Sequence, residues 1–150
     1  MIRQSAADAV PGLIALPRER FFNGDAPGEP CPEVLDLTGL GRILVYGPFL
    51  TIPPGRWTAT IRLEVCEDAA RRPFRIDFAT GDSVSQASFR PSGAGPLSAS
   101  VDHQVTAASL AELRLWVLKP TFHGELRFLG ATMECSQAWQ GSSRPGGDPA

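Results

Sequence analysis

The stretch Gly47-Pro48-Phe49-Leu50-Thr51-Ile52-Pro53-Pro54-Gly55-Arg56-Trp57 runs directly into Thr58-Ala59-Thr60-Ile61-Arg62-Leu63-Glu64-Val65, and its reading decides the fold. Pro54-Gly55 has the makings of a tight turn: proline holds φ near −65° at the first corner, and glycine accepts φ > 0 at the second. Past the turn, Trp57, Ala59, Ile61, Leu63 and Val65 alternate with Thr58, Thr60, Arg62 and Glu64. A period of two is a strand buried on one face. Two extended segments joined by such a turn are expected to seed a β-sheet.

Downstream the same period recurs. Phe74, Ile76 and Phe78 point one way while Arg75 and Asp77 point the other, and Gly81-Asp82 follows as a turn signal. Ser85 to Arg90 and Leu97 to Val105 are weaker strands around the loop Pro91-Ser92-Gly93-Ala94-Gly95-Pro96. Leu113-Arg114-Leu115-Trp116-Val117-Leu118 alternates clearly, and Glu125 to Glu134 closes the domain. Upstream, Val34 to Leu37 and Ile43 to Tyr46 are short strands about Thr38-Gly39-Leu40-Gly41. Seven to nine short strands without an amphipathic helix indicate an all-β fold, an antiparallel β-sandwich of jelly-roll type.

The organisation expected is an N-terminal arm over residues 1–30, a sandwich over 31–135 and a disordered tail over 136–150. The arm holds Leu13-Ile14-Ala15-Leu16 between Pro11 and Pro17, then Phe21-Phe22 and a run of turn formers. Phe21-Phe22 has to bury itself, against its own sandwich or against another subunit. Trp139, in the tail, either docks on the domain or meets a partner.

Fourteen basic residues against sixteen acidic ones leave a net charge of −2. That balance argues against a nucleic-acid or anionic-membrane partner, which would need a clustered basic surface. Lys119 is the only lysine, a bias that a GC-rich genome produces. Met1 to Val10 has no apolar run, so no secretory leader is expected, and no apolar stretch is long enough to span a bilayer. The chain is therefore expected in the cytoplasm or released as part of an assembly. Cys31, Cys66 and Cys135 fit no zinc spacing. Cys66 and Cys135 each close a strand and could be neighbours, though a reduced pair is the expected state.

The Gly-Pro-Phe-Leu-Thr-Ile-Pro-Pro-Gly-Arg-Trp stretch resembles a pattern met in galactose-binding-like jelly-roll modules, the carbohydrate-binding type appended to bacterial carbohydrate-active proteins. Leu113-Arg114-Leu115-Trp116 and Gly124-Glu125-Leu126-Arg127-Phe128-Leu129-Gly130-Ala131 fill the places of that pattern's late strand and closing strand. The resemblance covers roughly residues 34–135. It implies a non-catalytic module that binds carbohydrate, with no cofactor; jelly-roll modules often carry a structural calcium ion, for which loop acids such as Asp36 and Glu134 are the candidates.

By alternation Arg62, Glu64, Arg75, Asp77, Arg114, Trp116 and Arg127 fall on the non-core faces of their strands. If those strands share one sheet, they form a charged surface with one indole in it. Sugar sites need planar hydrogen-bonding groups for hydroxyls and an aromatic platform for the apolar sugar face. Arg114 and Trp116 supply one of each on the same side, about 6.5–7 Å apart along a strand. The ligand-binding set expected is thus Arg75, Asp77, Arg114 and Trp116, extended by Arg62 and Arg127. The competing reading is a solvated face laced with cross-strand Arg–Asp and Arg–Glu pairs. Trp57 reads as core and Tyr46 as rim packing.

Catalysis finds no footing. No G-x-S-x-G elbow is present, His123 reads as a hydrogen-bonding loop residue, and His103 and Asp102 face opposite ways on one strand. Carboxylates accompanied by arginines stay ionised and are unsuited to general-acid work. Gly39-Leu40-Gly41 has no following helix with which to cradle a phosphate. The alternative to a glycan-binding module is a structural or assembly subunit, such as a virion or tail-associated spike, whose arm makes homo-oligomer contacts.

Overall fold

The computed structural model describes residues 12–136; the expectations for residues 1–11, for the tail beyond 136 and for Trp139 lie outside the described residues. Among the described residues ten strands follow in order: β1 (Leu13–Leu16), β2 (Phe22–Asn23), β3 (Leu35–Asp36), β4 (Arg42–Ile52), β5 (Gly55–Val65), β6 (Phe74–Thr80), β7 (Ser83–Phe89), β8 (Gly95–Val105), β9 (Ser109–Val117) and β10 (Glu125–Cys135). Two 3₁₀ turns, Arg18–Arg20 and Glu67–Ala69, are the helical segments among the described residues. One sheet runs β2-β4-β9-β6-β7 and the other β1-β10-β5-β8, with β3 pairing β10 beside β1. Every pairing is antiparallel. The expected all-β, two-sheet sandwich is what the chain forms.

The organising stretch behaves differently from its reading. β4 pairs β2 and β9, whereas β5 pairs β10 and β8. Pro53-Pro54-Gly55 is therefore a crossing between the two sheets, not a hairpin. Two successive prolines offer no N–H to a ladder, so the strands on either side cannot zip together there. The Trp57 indole N–H donates to the Pro53 carbonyl at 3.0 Å and ties the corner to the core.

The core lies between the sheets, where the alternating residues meet. Trp57, Ala59, Ile61, Leu63 and Val65 of β5 are all buried, as read, facing Phe74, Ile76 and Phe78 of β6 and Leu113, Leu115 and Val117 of β9. In β10 the alternation slips: Leu126 and Phe128 point inward, then a bulge at Leu129 hands the inward positions to Ala131 and Met133. Gly130 carries that bulge at φ +117, and a Cβ there would meet the Leu16 carbonyl oxygen at 2.7 Å.

From residue 12 onward the arm is laid along its own sandwich. β1 pairs residues 131–134, Phe21 is buried edge-on against Phe128 at 4.8 Å, and Phe22 stacks on Tyr46 at 5.4 Å. The Cys135 N–H donates to the Gly12 carbonyl at 2.8 Å, so the two ends of the described chain are adjacent.

The three cysteines are free thiols. Cys66 and Cys135 are not neighbours: Val65 pairs Leu126, while Cys135 pairs Trp57 at the far end of the same ladder. Eight residues of strand separate them by about 25 Å, far beyond disulfide reach. Burial pushes the Cys31 thiol up to about 11 despite the nearby Arg18 guanidinium. A thiol reagent at neutral pH is thus expected to modify Cys66 and Cys135 in the native protein and Cys31 only after denaturant is added. Mass spectrometry of the labelled sites checks this.

Candidate functional site

The outward face of the β2-β4-β9-β6-β7 sheet brings four of the expected site residues together. Register places Arg114 opposite Asp77 and Trp116 opposite Arg75. The Asp77 carboxylate, 1% exposed, is the hub. Its Oδ1 accepts from Arg75 Nε at 2.8 Å and its Oδ2 from the Trp116 indole N–H at 2.9 Å. Arg114 Nη1 approaches Oδ2 to 3.7 Å, and Arg114 Nη2 donates to Glu112 Oε1 at 3.0 Å. The Arg75 guanidinium carbon sits 4.8 Å over the Trp116 ring, a cation–π arrangement. The Glu112 hydrogen bond foremost, with the Asp77 charge behind it, favours the charged form of Arg114 and holds its guanidinium above the usual arginine range.

This geometry gives the four residues different tasks. Asp77 is covered by its partners and serves to position them, rather than to face a ligand. One face of the Trp116 ring is taken by the Arg75 guanidinium of the neighbouring strand, so that face is not an open platform. The outward N–H groups of Arg75 and Arg114 remain available as fixed donors, since each guanidinium carries five and the ion pairs use only part of them.

An aromatic cluster that the alternation did not reveal adjoins this patch. Phe22, Tyr46 and Arg114 lie in one cross-strand row with Asp77 and Gln86. Phe49 joins them because β4 bulges there: Pro48 pairs Glu112 and Leu50 pairs Ala111, leaving Phe49 unpaired at φ 64. The bulge turns a ring that strict alternation would send inward to 43% exposure, 6.1 Å from Phe22 and 6.0 Å from Tyr46. Gly47, at φ +124, gives the Phe22 ring its room, as a Cβ there would lie 3.2 Å from the ring. Tyr46 is fixed from the arm, its hydroxyl oxygen accepting the Gly28 N–H at 2.8 Å. The signal in the sequence was the Gly47-Pro48-Phe49 interruption itself.

Arg62 and Arg127 do not join this surface. They lie on β5 and β10, in the other sheet, because the Pro53-Pro54 crossing takes β5 there. Arg62 donates to the Leu129 carbonyl at 3.2 Å, and Arg127 lies 3.9 Å from Glu33. The single surface expected for Arg62, Glu64, Arg75, Asp77, Arg114, Trp116 and Arg127 is thus two surfaces on opposite sides of the sandwich, with Glu64 beside Arg62 and Arg127.

Calcium at Asp36 and Glu134 does not fit. Asp36 pairs Glu125, and Glu134 pairs Leu13 and Thr58, so the two acids sit at opposite ends of β10. Nine residues of strand put them about 30 Å apart, beyond sharing one ion. The hydrogen bond from the Thr38 N–H holds the exposed Asp36 carboxyl below the usual carboxylate range. No group of three metal-binding side chains occurs among the described residues.

His103 is a buried residue that bridges the sheets. From β8 its Nε2 shares a 2.7 Å hydrogen bond with Thr80 Oγ1, its Nδ1 shares another of 2.7 Å with Ser85 Oγ, and the ring stacks 4.8 Å from Phe78. Asp102 faces the other way and accepts from Thr58 Oγ1 at 2.7 Å, as strand parity requires. His123 sits on a loop beside Asp68, 3.1 Å from its Oδ2.

Comparison with solved structures places the fold. The chain is similar to the carbohydrate-binding module TmCBM61 in complex with β-1,4-galactotriose, with a TM-score of 0.52 at 5% identity over 66% of this chain and 67% of that one. It is similar to the C-terminal CBM6 of the laminarinase LamC from Zobellia galactanivorans, with a TM-score of 0.51 at 14% identity over 81% and 98%. It is also similar to the CBM36-1 domain of a multidomain xylanase from the hindgut metagenome of Trinervitermes trinervoides, with a TM-score of 0.50 at 14% identity over 83% and 98%. The fold is that of the jelly-roll carbohydrate-binding modules. In sequence, no family model and no curated protein matches the chain.

Two consequences can be measured. Removing the Asp77 carboxylate strands the Arg75 guanidinium and the Trp116 indole N–H, while Arg114 keeps Glu112, so Asp77→Ala is expected to cost about 3 kcal/mol in urea unfolding, with Asp77→Asn costing less. Burial pushes the His103 imidazole below its ordinary 6.5. Between the two values the unfolded chain binds more protons, so this contribution is intact above about pH 6.5 and is lost as the pH falls through the lowered folded-state value. Urea midpoints taken from neutral to mildly acidic pH are expected to fall accordingly, and His103→Gln to flatten that part of the slope.

Proposed function

We propose that this protein is a non-catalytic carbohydrate-binding module whose ligand lies on the outward face of the β2-β4-β9-β6-β7 sheet. The observation that carries the proposal is the buried Asp77 carboxylate, which holds Arg75 and, together with Glu112, Arg114 on the same sheet face as the exposed Phe49 ring. Groups already fixed in the free protein lose little freedom when a ligand arrives, so their hydrogen bonds contribute more to affinity. Arg75 and Arg114 would donate to sugar hydroxyls, and Phe49, backed by Tyr46 and Phe22, would receive an apolar sugar face. Across five strands spaced about 4.8 Å apart the row spans about 19 Å, room for several sugar units of an extended chain. The likeness in fold to solved carbohydrate-binding modules supports the same reading.

The test is a glycan array followed by calorimetry on the intact protein and three variants. Phe49→Ala and Arg114→Ala are each expected to weaken binding by about tenfold or more, corresponding to about 1.4 kcal/mol. Arg62→Ala, on the opposite sheet, is expected to leave binding unchanged. Binding that survives Phe49→Ala and Arg114→Ala but falls with Arg62→Ala would move the site to the other face.

A further inference from the structure

Arg42, at the start of β4, pairs in register with the buried Val117 and is held by Asp25 at 2.7 Å; the outward face of these strands carries four charged side chains among the described residues, Arg75, Asp77, Glu112 and Arg114. Two are cations and two are anions, so the face sums to zero. Each guanidinium already has a carboxylate against it, Arg75 on Asp77 at 2.8 Å and Arg114 on Glu112 at 3.0 Å with Asp77 at 3.7 Å. The other outward residues around them, Tyr46, Phe49, Ala79, Gln86 and Ser88, carry no charge.

We propose that this face selects an uncharged glycan, and that its arginines act as fixed hydrogen-bond donors rather than as an anion trap. The inference rests on the reading of the face as a glycan site and names the class of glycan. A uronate or sulfate arriving here meets guanidiniums whose charge is already balanced at contact distance, and it meets the repulsion of Asp77 and Glu112 as well. To pair with either arginine it must displace a carboxylate that the fold holds in place. A hydroxyl has no such competition, because it can accept from the outward N–H groups while both ion pairs stay intact. With no net charge on the patch there is also no long-range field to draw in a polyanion, and the chain's overall charge of −2 adds nothing in its favour.

Glu112 sets the balance. It is the more exposed of the two acids and holds Arg114 through Nη2, whereas Asp77 approaches Nη1. Glu112→Gln leaves Arg114 still anchored by Asp77 but gives the face one net positive charge.

The experiment is affinity electrophoresis with a neutral galactan and its sulfated counterpart, at low salt of about 50 mM and high salt of about 500 mM, on the wild type and Glu112→Gln. The expected result is wild-type retention by the neutral polymer at least about tenfold stronger than by the sulfated one, and changed by less than about twofold between the two salts. Glu112→Gln is expected to gain retention by the sulfated polymer, and to lose that gain at high salt. Tighter wild-type binding to the sulfated polymer, falling steeply with salt, would overturn the selectivity while leaving a glycan site in place. Retention by neither polymer, repeated with a neutral β-glucan and polygalacturonate, would overturn the glycan reading itself and this inference with it.

Discussion

Two neighbouring residues without a backbone N–H set the architecture. Pro53 and Pro54 interrupt what would otherwise be one very long hairpin, and the chain resolves the interruption by changing sheets. β4 goes to one layer and β5 to the other, so the strongest alternating strand in the molecule ends up facing the layer it has just left. Trp57 fastens that corner with a hydrogen bond back to Pro53. Because β5 is elsewhere, the place beside β4 is open to β9, which in turn brings Arg114 and Trp116 between Tyr46 and the Arg75–Asp77 strand. The candidate face is thus a consequence of the crossing.

Much of the sandwich was legible because burial on one face writes a period of two into a strand. That signal depends on unbroken pairing, and it failed where pairing breaks. In β10, Leu129 bulges and reverses the parity of everything after it, so Ala131 and Met133 are core although their spacing from Phe128 is odd. β1 was invisible as a strand for another reason. Four residues between two prolines carry no periodicity of their own, and what makes them a strand is a partner more than a hundred positions away. The inter-sheet role of His103 was equally out of reach, because Thr80 and Ser85 come from the opposite layer.

The candidate site was half legible for the same reason. Parity correctly sends Arg75, Asp77, Arg114 and Trp116 outward, but it cannot say which outward residues share a sheet, so Arg62 and Arg127 were grouped with residues on the other side of the molecule. Nor can parity measure depth. Asp77 sits on an outward position and is nevertheless among the most buried polar groups, because two long cationic side chains and an indole close over it. Snorkelling side chains of this kind make a sheet surface thicker than its backbone suggests. Phe49 was missed because the feature that exposes it, a bulge with positive φ at a non-glycine residue, breaks the rule by which outward residues are found.

The adjacency of Gly12 and Cys135 has a mechanical meaning. β1 and the end of β10 run antiparallel from the point where the described chain enters and leaves the sandwich. A load drawn between those two points would pull across that ladder, not along it, and so would meet its hydrogen bonds one after another. Four residues of β1 would peel away as a zipper opens before the force reached Phe21 and its seat against Phe128. Resistance to tension along the chain is therefore set at this corner, whereas resistance to heat or denaturant resides in the layer around Trp57.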